Sequence, residues 1–146
     1  MGNRPMSQQT HILLDADRGI PWQTLHAQAG TASVHSSVLS GGTSEGVQCV
    51  ELCNGPATWW ILPTRGMGIW KGQYHQLPLG WKSPVKRPVH PAYVNLTERH
   101  GLGWLNGFNE LLCRCGLAYQ GPPGVDNGEQ LTLHGRIANL PAVQVE

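Results

Sequence analysis

Charge is scarce in this chain, and so are long apolar runs. Asp, Glu, Lys and Arg together make up 13% of the 146 residues, about half the roughly 25% of an average globular domain. The net charge is +1, which gives no electrostatic footprint for nucleic acid. Near the amino terminus the longest apolar run is Ile12–Leu14, too short for a signal-peptide core or a membrane span. No membrane partner is expected, and the chain is read as cytoplasmic. The sequon Asn95-Leu96-Thr97 carries meaning only in a secreted protein. A surface so poor in charge is expected to be covered in part, by a partner subunit or by more of the same fold.

Cofactor signatures are missing as well. No G-x-G-x-x-G is present to cradle a dinucleotide. The four cysteines fall as Cys49/Cys53 and Cys113/Cys115, without the C-x-x-C spacing of a zinc knuckle or a redox dithiol. In extended chain both spacings put the two sulfurs on one face, and the thiols are read as small buried hydrophobes. None of the seven histidines has another at i+2 or i+4. No metal site is assigned, and no cofactor is expected.

What the chain does have is turn chemistry and β pattern. Residues 1–30 show no sustained period and are read as an irregular arm, with a hint of a helical turn at Leu25, His26 and Ala29. From Thr31 the pattern becomes β. Val47, Cys49, Glu51 and Cys53 alternate with Gln48, Val50 and Leu52, and Asn54-Gly55 is a tight-turn signal. Ala57–Leu62, ATWWIL, reads as the second arm of a hairpin, covered on both faces because it is apolar almost throughout. Short strands are predicted around Trp70–Tyr74 and Leu77–Lys82. Pro84, Pro88 and Pro91 then make 83–101 a long loop. Within Leu102–Gly116 a helix competes with a turn at Asn106-Gly107 followed by a strand, Glu110–Leu117, and the second is preferred. QGPPGVDNG reads as loop, and AVQVE as a terminal strand pattern that stops at the chain end. The fold class is therefore all-β, sandwich-like, with 31–146 forming the front part of a longer domain.

Two groups of residues point to a small polar ligand. Tryptophan occurs six times, and Trp70, Trp81 and Trp104 lie beside glycine-rich turns, where an indole forms a flat platform for the C–H face of a pyranose. The other reading is that each fills a gap in the core. The second group is Leu131–Ala142, LTLHGRIANLPA, which places His134, Arg136 and Asn139 within six positions. In extended chain His134 and Arg136 share a face. A histidine there exchanges protons near neutral pH, and an arginine offers a fixed fork of donors. The bland alternative is a polar surface strand.

The segments LPTRGMGIWKGQYHQLPLGW, GLGWLNGFNELLCRCGL and LTLHGRIANLPA, in that order, resemble a family of uncharacterised aldose-1-epimerase-like proteins in the galactose-mutarotase superfamily. The likeness runs from about Trp59 to the carboxyl end. It implies an antiparallel β-sandwich, galactose-mutarotase-like, whose concave face binds a sugar, and of which this chain is the amino-terminal part. It also implies ring opening as the chemistry, with a histidine acting on the ring oxygen and a carboxylate taking the anomeric hydroxyl proton. His134 matches the first of the two histidines. The second histidine and the glutamate base belong to the later half of such a fold. His90, in HPAYVNL, is similar to the second histidine's motif but stands in the wrong order, and is read as lining the pocket rim. The resemblance further implies an aspartate where this chain has Gly68.

Residues and resemblance together give one expectation and two rivals. The expectation is a mutarotase-like isomerase in which His134 is catalytic and Arg65, Trp81, His90, Trp104, Arg136 and Asn139 contact the sugar. Glu98, Glu110 and Glu129 are the local carboxylates that would have to stand in for the base. The rivals are a carbohydrate-binding module without catalysis and a structural piece that pairs its open sheet edges with a partner or a second copy.

Overall fold

The computed structural model describes residues 9–146, so the first eight positions of the predicted arm lie outside the described residues. Turn chemistry and period-two alternation set most of the strand boundaries. Strand β1, Leu14–Asp15, is followed by β2, His26–Ala29, and β3, Ala32–Val38. Gly30 and Thr31 connect the last two, with Ala29 opposite Ala32. The arm is thus corrected: its last residues are strand, and Leu25 and His26 belong to no helical turn. The backbone N–H of Leu25 donates to Ser36 Oγ, which in turn donates to Gln23 O, both at 2.7 Å. A single buried hydroxyl therefore pins the arm to the sheet.

Strand β4, Gln48–Cys53, and β5, Ala57–Leu62, form the hairpin that the Asn54-Gly55 signal predicts. Strand β6, Gly68–Tyr74, and the short β7, Leu77–Leu79, complete one antiparallel meander in the order β2-β3-β4-β5-β6-β7. Its edges are β2 and β7, and Pro78 removes a donor from the second of these. Alternation along β4 sends side chains to two apolar faces. Val47, Cys49 and Leu62 pack with Leu39, Trp60 and Trp70 on one face. On the other, Val50 joins Leu13 and Val145, with Val34, Leu52 and Ile61 around them. Both faces of the central strands thus carry apolar clusters, yet the full cover expected of ATWWIL is not seen: Leu62 is buried and the other five residues of β5 are half-buried.

The second half of the chain is irregular. The 83–101 loop carries short turns at Pro91–Tyr93 and Glu98–Gly101, and a 3-10 turn occupies Gly103–Asn106. The strand expected at Glu110–Leu117 does not form; only Leu111 N–H reaches the sheet region, donating to Ile69 O at 2.8 Å. The loop QGPPGVDNG contains strand β8, Gly124–Asp126, which pairs with β9, Glu129–Leu131, across Asn127-Gly128. That is the same tight-turn dipeptide that marked the β4–β5 hairpin. Strand β10, Gln144–Val145, returns to pair with β1, so the terminal strand pattern finds its partner inside the predicted arm. No helix among the described residues is long and apolar enough to cross a membrane.

Candidate functional site

The turn between β5 and β6 organises the site. Leu62 ends β5, and Pro63–Arg65 makes a 3-10 turn capped by Gly66 at φ +59. A side chain at Gly66 is excluded, because its Cβ would lie 2.1 Å from Ile137 O. Glycine here lets the Arg65 turn lie directly against Ile137–Asn139, itself a 3-10 turn, and Ala142 N–H donates to Pro63 O at 3.0 Å beside it.

That approach buries Arg65 completely. Its Nη2 lies 3.0 Å from Glu110 Oε1 and donates to Gly107 O at 2.9 Å. Its Nη1 donates to Asn139 Oδ1. Arg114 closes the same network from the other side, giving Nη2 to Arg65 O at 2.6 Å and Nη1 to Gly66 O. Burial lowers the affinity of Arg114 for its proton, with the Glu110 carboxylate opposing that effect and Arg65 adding to it. Arg65 is thus the partner of Glu110, while Arg114 feels the same carboxylate without a hydrogen bond to it. A Cβ on Gly68 would sit 2.8 Å from Arg114 Nη2, so the aspartate that the resemblance implies at this position would have met Arg114 directly. Glycine at this position leaves Glu110 as the local counter-charge.

An aromatic row runs beside the polar network. Trp81 tilts against Phe108 at 5.2 Å, Phe108 stacks on Trp104 at 4.5 Å, and Trp104 meets His134 edge-on at 4.8 Å. Trp81 also donates from Nε1 to Glu110 O at 2.9 Å, which joins the row to the network at one residue. His134 ends the row in a left-handed conformation, φ +56, followed by Gly135 at φ +69. The turn is clamped from both sides. His134 N–H donates to Gly121 O, Gly116 N–H to His134 O, and Ile137 N–H to Gly116 O, at 2.9–3.0 Å. His134 Nδ1 lies 3.2 Å from Cys115 Sγ, and its Nε2 has no hydrogen-bond partner among the described residues.

Of the predicted site residues, the structure thus gathers Trp81, Trp104 and His134 into one row, and Arg65 and Asn139 into one network. Three readings need correction. His134 and Arg136 do not share a strand face, because His134–Gly135 is a turn and Arg136 is an exposed residue at the start of the next. Trp104 is no open platform, being 2% exposed, whereas Trp81 is 47% exposed. Arg65 is wholly enclosed and holds the turn rather than facing solvent. His90 sits elsewhere, receiving Ala92 N–H at Nδ1, donating its own N–H to Thr43 O and lying against Gly46.

Sequence reasoning missed Phe108, Arg114 and the closeness of Cys115 to His134. It also took G-x-S-x-G, the signature of a hydrolase nucleophile elbow, to be absent, whereas Gly42-Thr43-Ser44-Glu45-Gly46 has that spacing. Here the serine lies in a 3-10 turn between two antiparallel strands, is 5% exposed, and donates to Pro88 O at 2.6 Å. It is a structural hydroxyl. Reading the thiols as buried holds for Cys49 alone; Cys53 is half-buried, and Cys113 and Cys115 are exposed. One hollow, about 680 Å³, lies over β2–β5 and is lined by residues such as His11, Ala27, Ser33, Leu52 and Trp59. A second, about 410 Å³, is walled by core residues including Leu13, Val50 and Ile61. Both are open apolar faces of the sheet, and none of the predicted site residues lines either.

The fold is that of an antiparallel β protein, and it is similar to that of an aldose 1-epimerase-like structure. The structure matches a crystal structure of "a putative aldose 1-epimerase" from Klebsiella pneumoniae subsp. pneumoniae MGH 78578 with a TM-score of 0.84 and 36% identity over 93% of this chain. The chain spans 38% of that protein's length. Residues 44–146 match a family described as a domain of unknown function, DUF4432, and the chain belongs to that family. No curated protein matches it. The family resemblance and the fold class read from the sequence are both borne out.

Proposed function

We propose that the chain forms the sugar-contacting part of an aldose 1-epimerase-like isomerase, with His134 acting at the ring oxygen. The observation that carries this reading is the likeness to the Klebsiella protein across nearly the whole chain. The site is compatible with it. His134 is held by Trp104, by Cys115 at Nδ1 and by two backbone hydrogen bonds, so Nε2 is the nitrogen left to meet a substrate. Trp81 and Arg136 are the exposed neighbours that would stack on or donate to the sugar. Arg65, Asn139 and Trp104 support the His134 turn from behind.

Mutarotation needs a proton at the ring oxygen as the anomeric hydroxyl loses one, and the two transfers require an acid and a base in place together. Glu110 is enclosed and held by Arg65, which removes it as that base. Glu98 and Glu129 are exposed. This favours a second reading for the chain by itself, sugar binding without catalysis.

Two-dimensional NMR exchange between the α and β anomers of an aldose separates the readings. Acceleration by the protein, reduced roughly 10²-fold or more in His134→Gln, is the outcome expected of the isomerase. Saturation transfer to the sugar with no acceleration would assign the binding role, and absence of both effects would overturn the sugar reading altogether.

A further inference from the structure

Three groups with metal-ligating chemistry converge outside the polar network. Cys113 Sγ and Cys115 Sγ lie 3.9 Å apart, Cys115 Sγ is 3.2 Å from His134 Nδ1, and all three ligand atoms lie within 4.8 Å of one another. The arrangement follows from local structure. Arg114 turns inward to Arg65 O and Gly66 O, so its two neighbours in C-R-C turn outward together. The paired backbone bonds between Gly116 and the His134–Ile137 turn then bring the imidazole to the sulfurs. The backbone frame is therefore in place independently of any ion.

A tetrahedral ion with metal–sulfur bonds of about 2.3 Å and metal–nitrogen bonds of about 2.0–2.1 Å spaces its ligand atoms by roughly 3.6–3.8 Å. The observed separations bracket that range, and closing on an ion asks for movements of about an ångström in exposed side chains. Two thiolates and an imidazole select a soft or borderline cation such as Zn²⁺, and disfavour Mg²⁺ and Ca²⁺, which take oxygen ligands.

We propose that Cys113, Cys115 and His134 form a binding site for one thiophilic divalent cation, Zn²⁺ in the first place, with the fourth position open to solvent. Three protein ligands and an open position make it an exchangeable site rather than a structural staple. Burial, then the neighbouring Cys115 sulfur, pushes the Cys113 thiol up to about 11; each thiol gives its proton to solvent as the cation binds. The site takes Nδ1 of His134 and leaves Nε2, so it does not depend on the sugar reading.

Cobalt is the spectroscopic probe. The full chain, kept reduced with a phosphine, is titrated with Co²⁺ and then with Zn²⁺. One Co²⁺ per chain is expected, with thiolate-to-cobalt charge-transfer absorption and the visible bands of tetrahedral Co²⁺, both abolished by Zn²⁺. Cys113→Ser and Cys115→Ser should each cut the charge-transfer band by about half and weaken binding by about tenfold or more. His134→Gln should keep that band while shifting the visible bands, and Cys49→Ser and Cys53→Ser should change neither. All of Cys113, Cys115 and Cys53 lie away from the buried core, and near-ultraviolet circular dichroism verifies that each variant is folded. A thiolate band that is absent at millimolar Co²⁺, survives in the Cys113→Ser/Cys115→Ser double variant, or disappears in Cys53→Ser overturns the proposal.

Discussion

Glu110→Ala is expected to destabilise the protein by about 3–5 kcal/mol, a large part of the roughly 5–15 kcal/mol that holds a typical domain folded. The side chains of Arg65 and Glu110 are 0% and 2% exposed, so water cannot take over the role of the lost carboxylate. Asn139 Oδ1 and Gly107 O would still accept from the guanidinium, but neither carries charge. Arg114, whose Nη2 donates to Arg65 O, would also lose the nearby negative charge that opposes the effect of its burial. Urea unfolding followed by tryptophan fluorescence measures the loss. The double variant Arg65→Met/Glu110→Leu should recover most of it, because apolar groups of similar volume commonly replace a buried ion pair with little penalty. A loss below about 1 kcal/mol for Glu110→Ala, the range of exposed pairs, would show that the pair is solvated.

The second large effect concerns Gly66. Alanine there must hold φ +59 and also place Cβ 2.1 Å from Ile137 O and 3.3 Å from Leu140 O. The conformation alone costs about 1–2 kcal/mol, and the forced backbone shift adds about 1–3 kcal/mol. Gly30 supplies the control, since it has φ +62 with nothing within 4 Å of a built Cβ. Gly66→Ala should therefore lose clearly more stability than Gly30→Ala. It should also speed amide hydrogen exchange at Ala142, whose N–H bonds to Pro63 O. Equal losses in the two variants would mean that the Ile137–Asn139 turn moves freely away from Arg65.

The β-sheet was legible because its determinants are local. Alternation along 47–53, the Asn54-Gly55 turn and the doubly apolar ATWWIL each specify structure within a few residues, and they agree with one another. Several residues singled out in the sequence lie near one another in the fold, but their pairings were not legible there. Arg65 meets Glu110 across 45 positions and Asn139 across 74, and no local periodicity encodes such pairings. Trp104 looked like a platform because glycine flanks it. Yet Gly103 permits so close an approach that a Cβ there would lie 1.7 Å from Asn95 O, and the indole sinks with the backbone. His134-Gly135 looked extended because Leu131–Leu133 leads into it with a strand-like pattern. The glycine was the signal for a left-handed turn instead. For the cysteines, the i,i+2 spacing in C-R-C correctly put both sulfurs on one side, and only the inward pull on Arg114 determines that this side is solvent.

A sugar bound at the His134 turn, and not in the larger hollow over β2–β5, is the central claim. Titrating an aldose into isotopically labelled protein and following backbone amides by ¹H–¹⁵N NMR tests it directly. Shifts concentrated at Thr132–Asn139 and at the Trp81 indole are the expected result. Shifts confined to Ala27, Ser33, Leu52 and Trp59 would contradict the claim and move the ligand to the sheet face.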